Sequence, residues 1–245
     1  MTKPKMILFD YGHTLLCEPD FDGVNGNRAL LEYATSNPNN LSAEDISKFA
    51  DELFWRSSIT KAREIGVESH NFMFDKLLYE YLQIGFSISS LEMERVFWDN
   101  AAPGEAMDNI DKVLDYLNEN NIRTGVISNI SYSGAGLKNR IDRLLPDNNF
   151  VFVIASSEYI VRKPDPLIFE LALHKAKLSA GEVWYCGDNT KLDVYGANNV
   201  GIFPVWYHSL LPCDYRDKSL DVKPECEHLY INDWMELINI LEGLK

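Results

Sequence analysis

Four apolar residues in a row, "MILF" at 6–9, run into an acid, Asp10, and then into a turn, "YGHT". A short continuous apolar run closed by turn residues predicts a strand buried on both faces. From about residue 17 to 104 the spacing of apolar positions becomes helical. In "LSAEDISKFADELFWRS" the residues Ile46, Phe49, Ala50, Leu53 and Phe54 share one face. Ser42 and Asp45, three residues apart, form a variant of the capping box, and Leu41 and Ile46 stand at the positions of a hydrophobic staple. "NFMFDKLLYEYLQIGF" predicts a second amphipathic helix. "SSLEMERVFWDN", started by Ser89 and Glu92, predicts a third. No strand is expected in this stretch.

After "AAPGE" the rhythm changes to strand alternating with helix. Strands are expected at "IRTGVIS", "FVFVIAS", "EVWYCGD" and "GIFPVWY", with a late one at "HLYI". Helices are expected on the stripe Met107, Ile110, Val113, Leu114 and Leu117, over about 136–145, and over "PLIFELALHKAKL" with Pro166 at its first turn and Asp165 as its cap. A last helix runs from Asp233 to Glu242, with Asp233 and Glu236 as its box, and residues 208–227 read as an irregular polar loop. Alternation of this kind implies a parallel sheet with helices on both faces. The predicted fold class is therefore α/β. A Rossmann-like core of residues 1–16 and 105–245 is interrupted by an all-helical insert, residues 17–104.

Composition narrows the functional classes. The chain has 245 residues, 46% of them apolar and 24% charged, enough for a sizeable core. The net charge of −14 argues against a nucleic-acid partner or an anionic membrane surface. No run approaches the length of a membrane span, and no signal-peptide-like stretch precedes Asp10, so a cytoplasmic protein is expected. Cys17, Cys186, Cys213 and Cys226 include no C-x-x-C pair and no zinc spacing, so free thiols are expected.

Open parallel sheets carry their sites at the carboxyl ends of the strands. Those ends here hold Asp10, then Ser128 and Asn129, then Gly187, Asp188 and Asn189 with Asp193 five residues past Asp188, while Lys163 lies in "VRKPDP". Asp10, Asp188 and Asp193 would repel one another in one crevice. A hard cation with oxygen ligands relieves that repulsion, and Mg²⁺ suits a site where phosphate supplies further oxygens. A carboxylate can also attack phosphorus, and Lys163 and the Ser128 hydroxyl would then balance charge on the transferring group.

These residues are those of a known family. The sequence resembles haloacid dehalogenase (HAD) superfamily hydrolases: "ILFDYGHTLL", "GVISN", "VRKPDPLIFE" and "YCGDNTKLDVYGANNVGI" match its four motifs in order, and residues 17–104 stand where that family inserts a helical cap. The resemblance implies a Mg²⁺-dependent phosphohydrolase acting on a small phosphorylated metabolite through an aspartyl-phosphate. It implies Asp10 as nucleophile. Mg²⁺ would be held by Asp10, by the backbone carbonyl of Gly12 and by Asp188, with Asp193 in support. Ser128 and the backbone near Asn129 would bind phosphate, Lys163 would screen Asp10 and phosphate together, and Thr14 would buttress the first loop on the substrate side.

One position departs from the pattern. The family's phosphatases usually carry an aspartate two residues after the nucleophile as general acid and base, and here that place is Gly12. Losing such a group costs about 10²–10⁴-fold in rate. His13, His70 or Asp75 could supply the proton instead. Alternatively the substrate needs none, as with an acyl phosphate, or the reaction is that of the superfamily's 2-haloacid dehalogenases or phosphonate hydrolases. The last would require a cap lysine, with Lys48, Lys61 and Lys76 available. A binding protein of weakened activity is the remaining alternative. Arg56, Lys61 and Arg63 are either a solvated helix end or a clamp on the substrate's far end.

Overall fold

The computed structural model describes residues 2–209, 211 and 222–244. Strand β1, Met6–Phe9, is fully buried. The chain leaves it through β2 (Leu16–Cys17) and enters a helical block. The block contains α1 (Gly23–Leu31), β3 (Ala34–Ser36), α2 (Ala43–Arg56), α3 (Ile59–Glu64), α4 (Asn71–Leu82), β4 (Gly85–Phe86) and α5 (Ser90–Ala101). It returns through β5 (Glu105–Ala106), which pairs antiparallel with β2. There follow α6 (Ile110–Glu119), β6 (Arg123–Ser128), α7 (Gly134–Leu144), β7 (Phe150–Ala155), α8 (Pro166–Ala176), β8 (Val183–Gly187), α9 (Tyr195–Asn199), β9 (Phe203–Tyr207), β10 (Leu229–Ile231) and α10 (Trp234–Glu242).

Six strands form one parallel sheet in the order β10-β9-β8-β1-β6-β7. The chain builds outward from β1 to β7, then crosses to β8 on the other flank of β1. The strand order therefore reverses at β1, where crevices form in such sheets. Side chains of β1 alternate between two cores. Ile7 and Phe9 pack with α6, α7 and α10, and Met6 and Leu8 pack with α8 and α9. Gly125 on β6 leaves room for that packing, since a Cβ there would lie 2.9 Å from the Met6 side chain.

The helix starts follow from local chemistry. Ser42 and Asp45 close a capping box on α2, and Asp233 and Glu236 close one on α10. Ser89 caps α5 and Asp165 caps α8 ahead of Pro166. The helical block has its own core around Leu30, Ile46, Leu78, Leu82 and Val96, with Leu41 packed against it. The expectation of no strand between 17 and 104 is corrected: β3 and β4 pair antiparallel inside the block. Elements of three and two residues are too short to display a two-residue period. The polar loop expected over 208–227 lies for the most part outside the described residues, as does Cys213. Cys17, Cys186 and Cys226 are free thiols. Among the described residues no helix is long and apolar enough to cross a membrane.

One buried cation ties the block's two connections to the sheet layer. Arg140 on α7 is 1% exposed. It donates to the Tyr11 hydroxyl at 2.9 Å, to Asp99 at 3.0 Å and to the carbonyl of Ala102, lies 3.2 Å from Glu18, and sits 4.4 Å above the Trp98 ring. Burying a guanidinium costs several kcal/mol unless such partners compensate. Replacing Arg140 by Met keeps the volume but leaves Glu18 without its cation. Arg140→Met is expected to lower unfolding free energy by about 3–5 kcal/mol in urea titration; a loss below about 1 kcal/mol would contradict this reading.

Candidate active site

The register of the sheet sets the site. Phe9 pairs with Val126 on one side and Cys186 on the other, so Asp10, Ser128 and Asp188 emerge at adjacent carboxyl ends. The turn after β8 then folds back. Asn189 accepts from the Leu192 N–H, and its own N–H donates to Asp193 Oδ2 at 2.9 Å. That closure requires Gly187, because a Cβ there would lie 2.5 Å from the Cβ of Asp193. The carboxylates of Asp10, Asp188 and Asp193 consequently offer oxygens that all lie within 4.8 Å of one another.

Lys163 enters this group from the loop after β7. Its Nζ donates to Asp10 Oδ1 and to Asp193 Oδ1, at 2.6 Å each, and to the Tyr185 hydroxyl at 2.8 Å. Its backbone is clamped by Asn129, whose Oδ1 accepts from the Lys163 N–H at 2.7 Å and whose Nδ2 donates to the Lys163 carbonyl at 2.9 Å. Burial works against the charge on Lys163, but Asp10 and Asp193 overcome it and hold the ammonium above its ordinary range. Burial pushes Asp10 up to about 6 against the pull of Lys163, and Asp193 adds to the rise. Three carboxylates thus gather around one ammonium. The donor set is oxygen throughout, which suits a hard ion.

The remaining sequence-predicted residues are distributed as follows. Ser128 is buried at the end of β6. The Thr14 hydroxyl is buried with no hydrogen-bond partner among the described residues, while the Thr14 carbonyl accepts from the Trp234 indole at 3.2 Å. His13 is buried in a left-handed turn. Among the described residues, chain neighbours aside, a Cβ at Gly12 would meet nothing within 4 Å, so the place of the family's usual acid has room for a side chain to begin. Both oxygens of Asp193 are taken, by Lys163 and by Asn189.

In the helical block His70 caps α4, its Nδ1 accepting from the Phe72 N–H. Lys48, Lys61 and Arg56 are exposed, and Lys76 pairs with Glu80 on the surface. Arg63 is paired with Glu68. A cavity of about 510 Å³ lies among α1, α2, α4 and α5, with Phe54, Arg63, Asp75 and Tyr79 on the block side and Ser131 and Tyr132 on the sheet side.

Sequence reading missed Tyr185. Its hydroxyl lies 3.1 Å from the Ile127 carbonyl and 3.2 Å from Asp193 Oδ1, and burial holds it as a phenol. Its only signal is a polar atom in an otherwise apolar strand, three residues before Asp188.

Comparison with known proteins follows this geometry. A family description, haloacid dehalogenase-like hydrolase, matches residues 4–201. The chain is 40% identical over 98 residues to the glyceraldehyde 3-phosphate phosphatase of Pyrococcus abyssi, covering 39% of this chain and 40% of that protein. It is 32% identical over 133 residues to the enzyme of the same name from Pyrococcus furiosus, covering 54% and 52%. The chain thus spans about half or less of the length of these relatives. Among solved structures, a HAD phosphatase from Thermococcus onnurineus matches at 19% identity with 98% of both chains covered and a TM-score of 0.60. A 2-haloacid dehalogenase from Pseudomonas syringae pv. Tomato DC3000 matches at 19% identity, 99% of both chains and the same TM-score of 0.60. Likeness at that identity concerns the fold alone, and the fold is shared by both chemistries.

Asp75 provides a test of the cavity's electrostatics. Burial, and after it the charge of Glu94, push its carboxyl from 3.8 to about 7. The folded protein therefore binds this proton where the unfolded chain has released it, and stability falls as pH rises from about 4 to about 7. Asp75→Asn keeps the acceptor for Asn71 and removes the charge. The variant's gain in Tm over the parent is expected to be larger at pH 8 than at pH 5, by calorimetry; the same gain at both pH values would contradict the assignment.

Proposed function

The chain belongs to the haloacid dehalogenase-like hydrolase family, and from that premise we propose that it is a Mg²⁺-dependent phosphohydrolase acting on a small phosphorylated metabolite. The observation that carries the reading is Lys163 Nζ, 2.6 Å from both Asp10 and Asp193 inside a cluster of three carboxylates. In this reading Asp10 attacks phosphorus and the ester P–O bond breaks, the leaving oxygen departing with the bonding pair and taking a proton from solvent where it needs one. Water then attacks the phosphorus of the aspartyl-phosphate, the P–O bond to Asp10 breaks, the carboxylate returns, and phosphate leaves with the water's oxygen while its proton passes to phosphate or solvent.

Asp10, Asp188 and the Gly12 carbonyl would hold the ion, and Asp193 supports them from behind through Lys163 and Asn189. When bound, Mg²⁺ supplies positive charge against the phosphoryl oxygens. Lys163 neutralises the same oxygens while keeping Asp10 ionised. Ser128 and Thr14 offer hydroxyl donors to the substrate, and Asn129 acts through the Lys163 backbone. Preorganised charge of this kind is commonly the largest contribution to phosphoryl transfer. Residues 17–104 serve as a cap over a core of residues 1–16 and 105–245. The phosphatase names of the Pyrococcus relatives support the substrate class. The absence of a long apolar helix among the described residues is consistent with action in the cytoplasm.

Gly12 favours one refinement. With room but no acid at that place, a leaving group that needs no proton should be favoured, as in acyl and aryl phosphates. The dehalogenase alternative shares the missing acid, but a metal-free site has little use for three mutually repelling carboxylates. The phosphonate alternative needs a lysine in the cap facing the site, and Lys48, Lys61 and Lys76 are exposed.

A panel of phosphate esters and 2-haloacids, with Mg²⁺ and with EDTA, tests the reading. Phosphate release is expected only with Mg²⁺, and faster from p-nitrophenyl phosphate than from an alkyl phosphate. Chloride release persisting in EDTA would support the dehalogenase alternative instead. Position 12 has room for a Cβ, and Gly12→Asp is expected to raise alkyl-phosphate turnover by about tenfold or more. No gain would assign the proton to another group.

A further inference from the structure

The loop that delivers Lys163 is held by a residue of the helical block. Val67 and Val161 form an isolated antiparallel bridge. The Glu68 N–H donates to the Ile160 carbonyl, and the Arg162 N–H donates to the Gly66 carbonyl at 3.2 Å. At the end of this bridge the Glu68 side chain, 1% exposed, gathers four polar groups around its two oxygens. Oε1 accepts from Arg63 Nε at 3.1 Å and from the Ser69 N–H at 3.2 Å. Oε2 lies 3.3 Å from Arg162 Nη1 and 3.2 Å from Ser156 Oγ, whose single proton is within reach of Glu68 Oε2 and of the Ile130 carbonyl, also at 3.2 Å. The Ser156 hydroxyl in turn accepts from the Ile130 N–H at 2.9 Å, next to the Asn129 that clamps the Lys163 backbone. Both chain segments that fix Lys163 therefore converge on one buried carboxylate from another part of the sequence.

We infer that Glu68 is a positioning residue for Lys163, acting through Arg162 on one side and through Ser156 and Ile130 on the other. It joins the seating of the helical block to the placement of the ammonium between Asp10 and Asp193. Without its charge, Arg63 and Arg162 face each other with no shared counterion, and the loop carrying Lys163 loses its anchor. A displacement of about 1 Å at such a group costs on the order of 10²-fold in rate. The role in turnover rests on the phosphatase reading; the placement of Lys163 does not.

The test uses the 245-residue chain and the variants Glu68→Gln and Arg162→Lys. Lys163 is buried, so its ¹⁵N-ammonium resonance is observable by NMR and can be assigned by its loss in Lys163→Arg. Glu68→Gln is expected to shift and broaden that resonance while the backbone amide spectrum of the sheet stays in place. Arg162→Lys, which keeps a cation beside Glu68, is expected to retain most of the signal. An unchanged Lys163 resonance in folded Glu68→Gln would overturn the inference. If Glu68→Gln does not fold, Arg162→Met decides in the same way. With p-nitrophenyl phosphate and Mg²⁺, kcat of Glu68→Gln should fall at least tenfold with KM within about twofold. A parent protein that hydrolyses no phosphate ester would count against the proposed reaction alone, since the ammonium resonance is read without turnover.

Discussion

The ammonium of Lys163 sits inside the carboxylate cluster, bonded to Asp10 and to Asp193. At separations near 4.8 Å, two like charges repel by about 3 kcal/mol at an effective dielectric of about 20. Three carboxylates gathered that closely cannot all stay ionised unaided. Lys163 meets part of the repulsion, and Asp10 is held at about 6 first by its burial and then by Asp193, against the pull of Lys163. Everything else in the site is arranged around that imbalance: Asn129 fixes the lysine backbone, Tyr185 fills its third donor direction, and the fold-back at Gly187 brings Asp193 beneath it. A nucleophilic carboxylate that is desolvated and still ionisable is what attack on phosphorus requires.

The sheet supplies the positions and the helical block supplies constraint. Reversal of strand order at β1 leaves Asp10 flanked by the ends of β6 and β8, so three of the site's residues need no long loops to meet. Two buried charged groups, among other contacts, attach the block with different chemistry. Arg140 gathers Tyr11, Glu18, Asp99 and Ala102 near the connections, and Glu68 gathers Arg63, Arg162 and Ser156 at the loop before Lys163. Both are buried charges met by several polar partners. Such groups fix one arrangement more than they add stability, because desolvation consumes most of their attraction.

How much of this the sequence carried can be argued residue by residue. The strands of the core were legible because doubly buried strands are apolar runs ended by acids and glycines. The capping boxes at Ser42 and Asp233 were legible because they are local. The convergence of Asp10, Lys163, Asp188 and Asp193 followed once strand ends were taken to share one edge. Contacts between distant segments left no such trace. Glu68 and Arg140 stand in stretches with no motif, and their partners lie 80 or more residues away in the case of Glu68 with Ser156 and Arg140 with Tyr11, while Tyr185 opens the fourth motif but reads there as one more residue of an apolar strand. The short pair β3 and β4 escaped because two or three residues cannot express a period. Gly12 was readable as a missing acid, but only three dimensions reveal that its place has room for a side chain to begin.

The central claim is that Asp10, held ionisable beside Lys163, forms a bond to phosphorus. Acid quench of the protein during turnover of acetyl phosphate with Mg²⁺, followed by peptide mass spectrometry, reads that bond directly. The account predicts one added phosphoryl group on the peptide containing Asp10, absent in Asp10→Asn. Sustained turnover with no such adduct, or with the phosphoryl group on another residue, would contradict it.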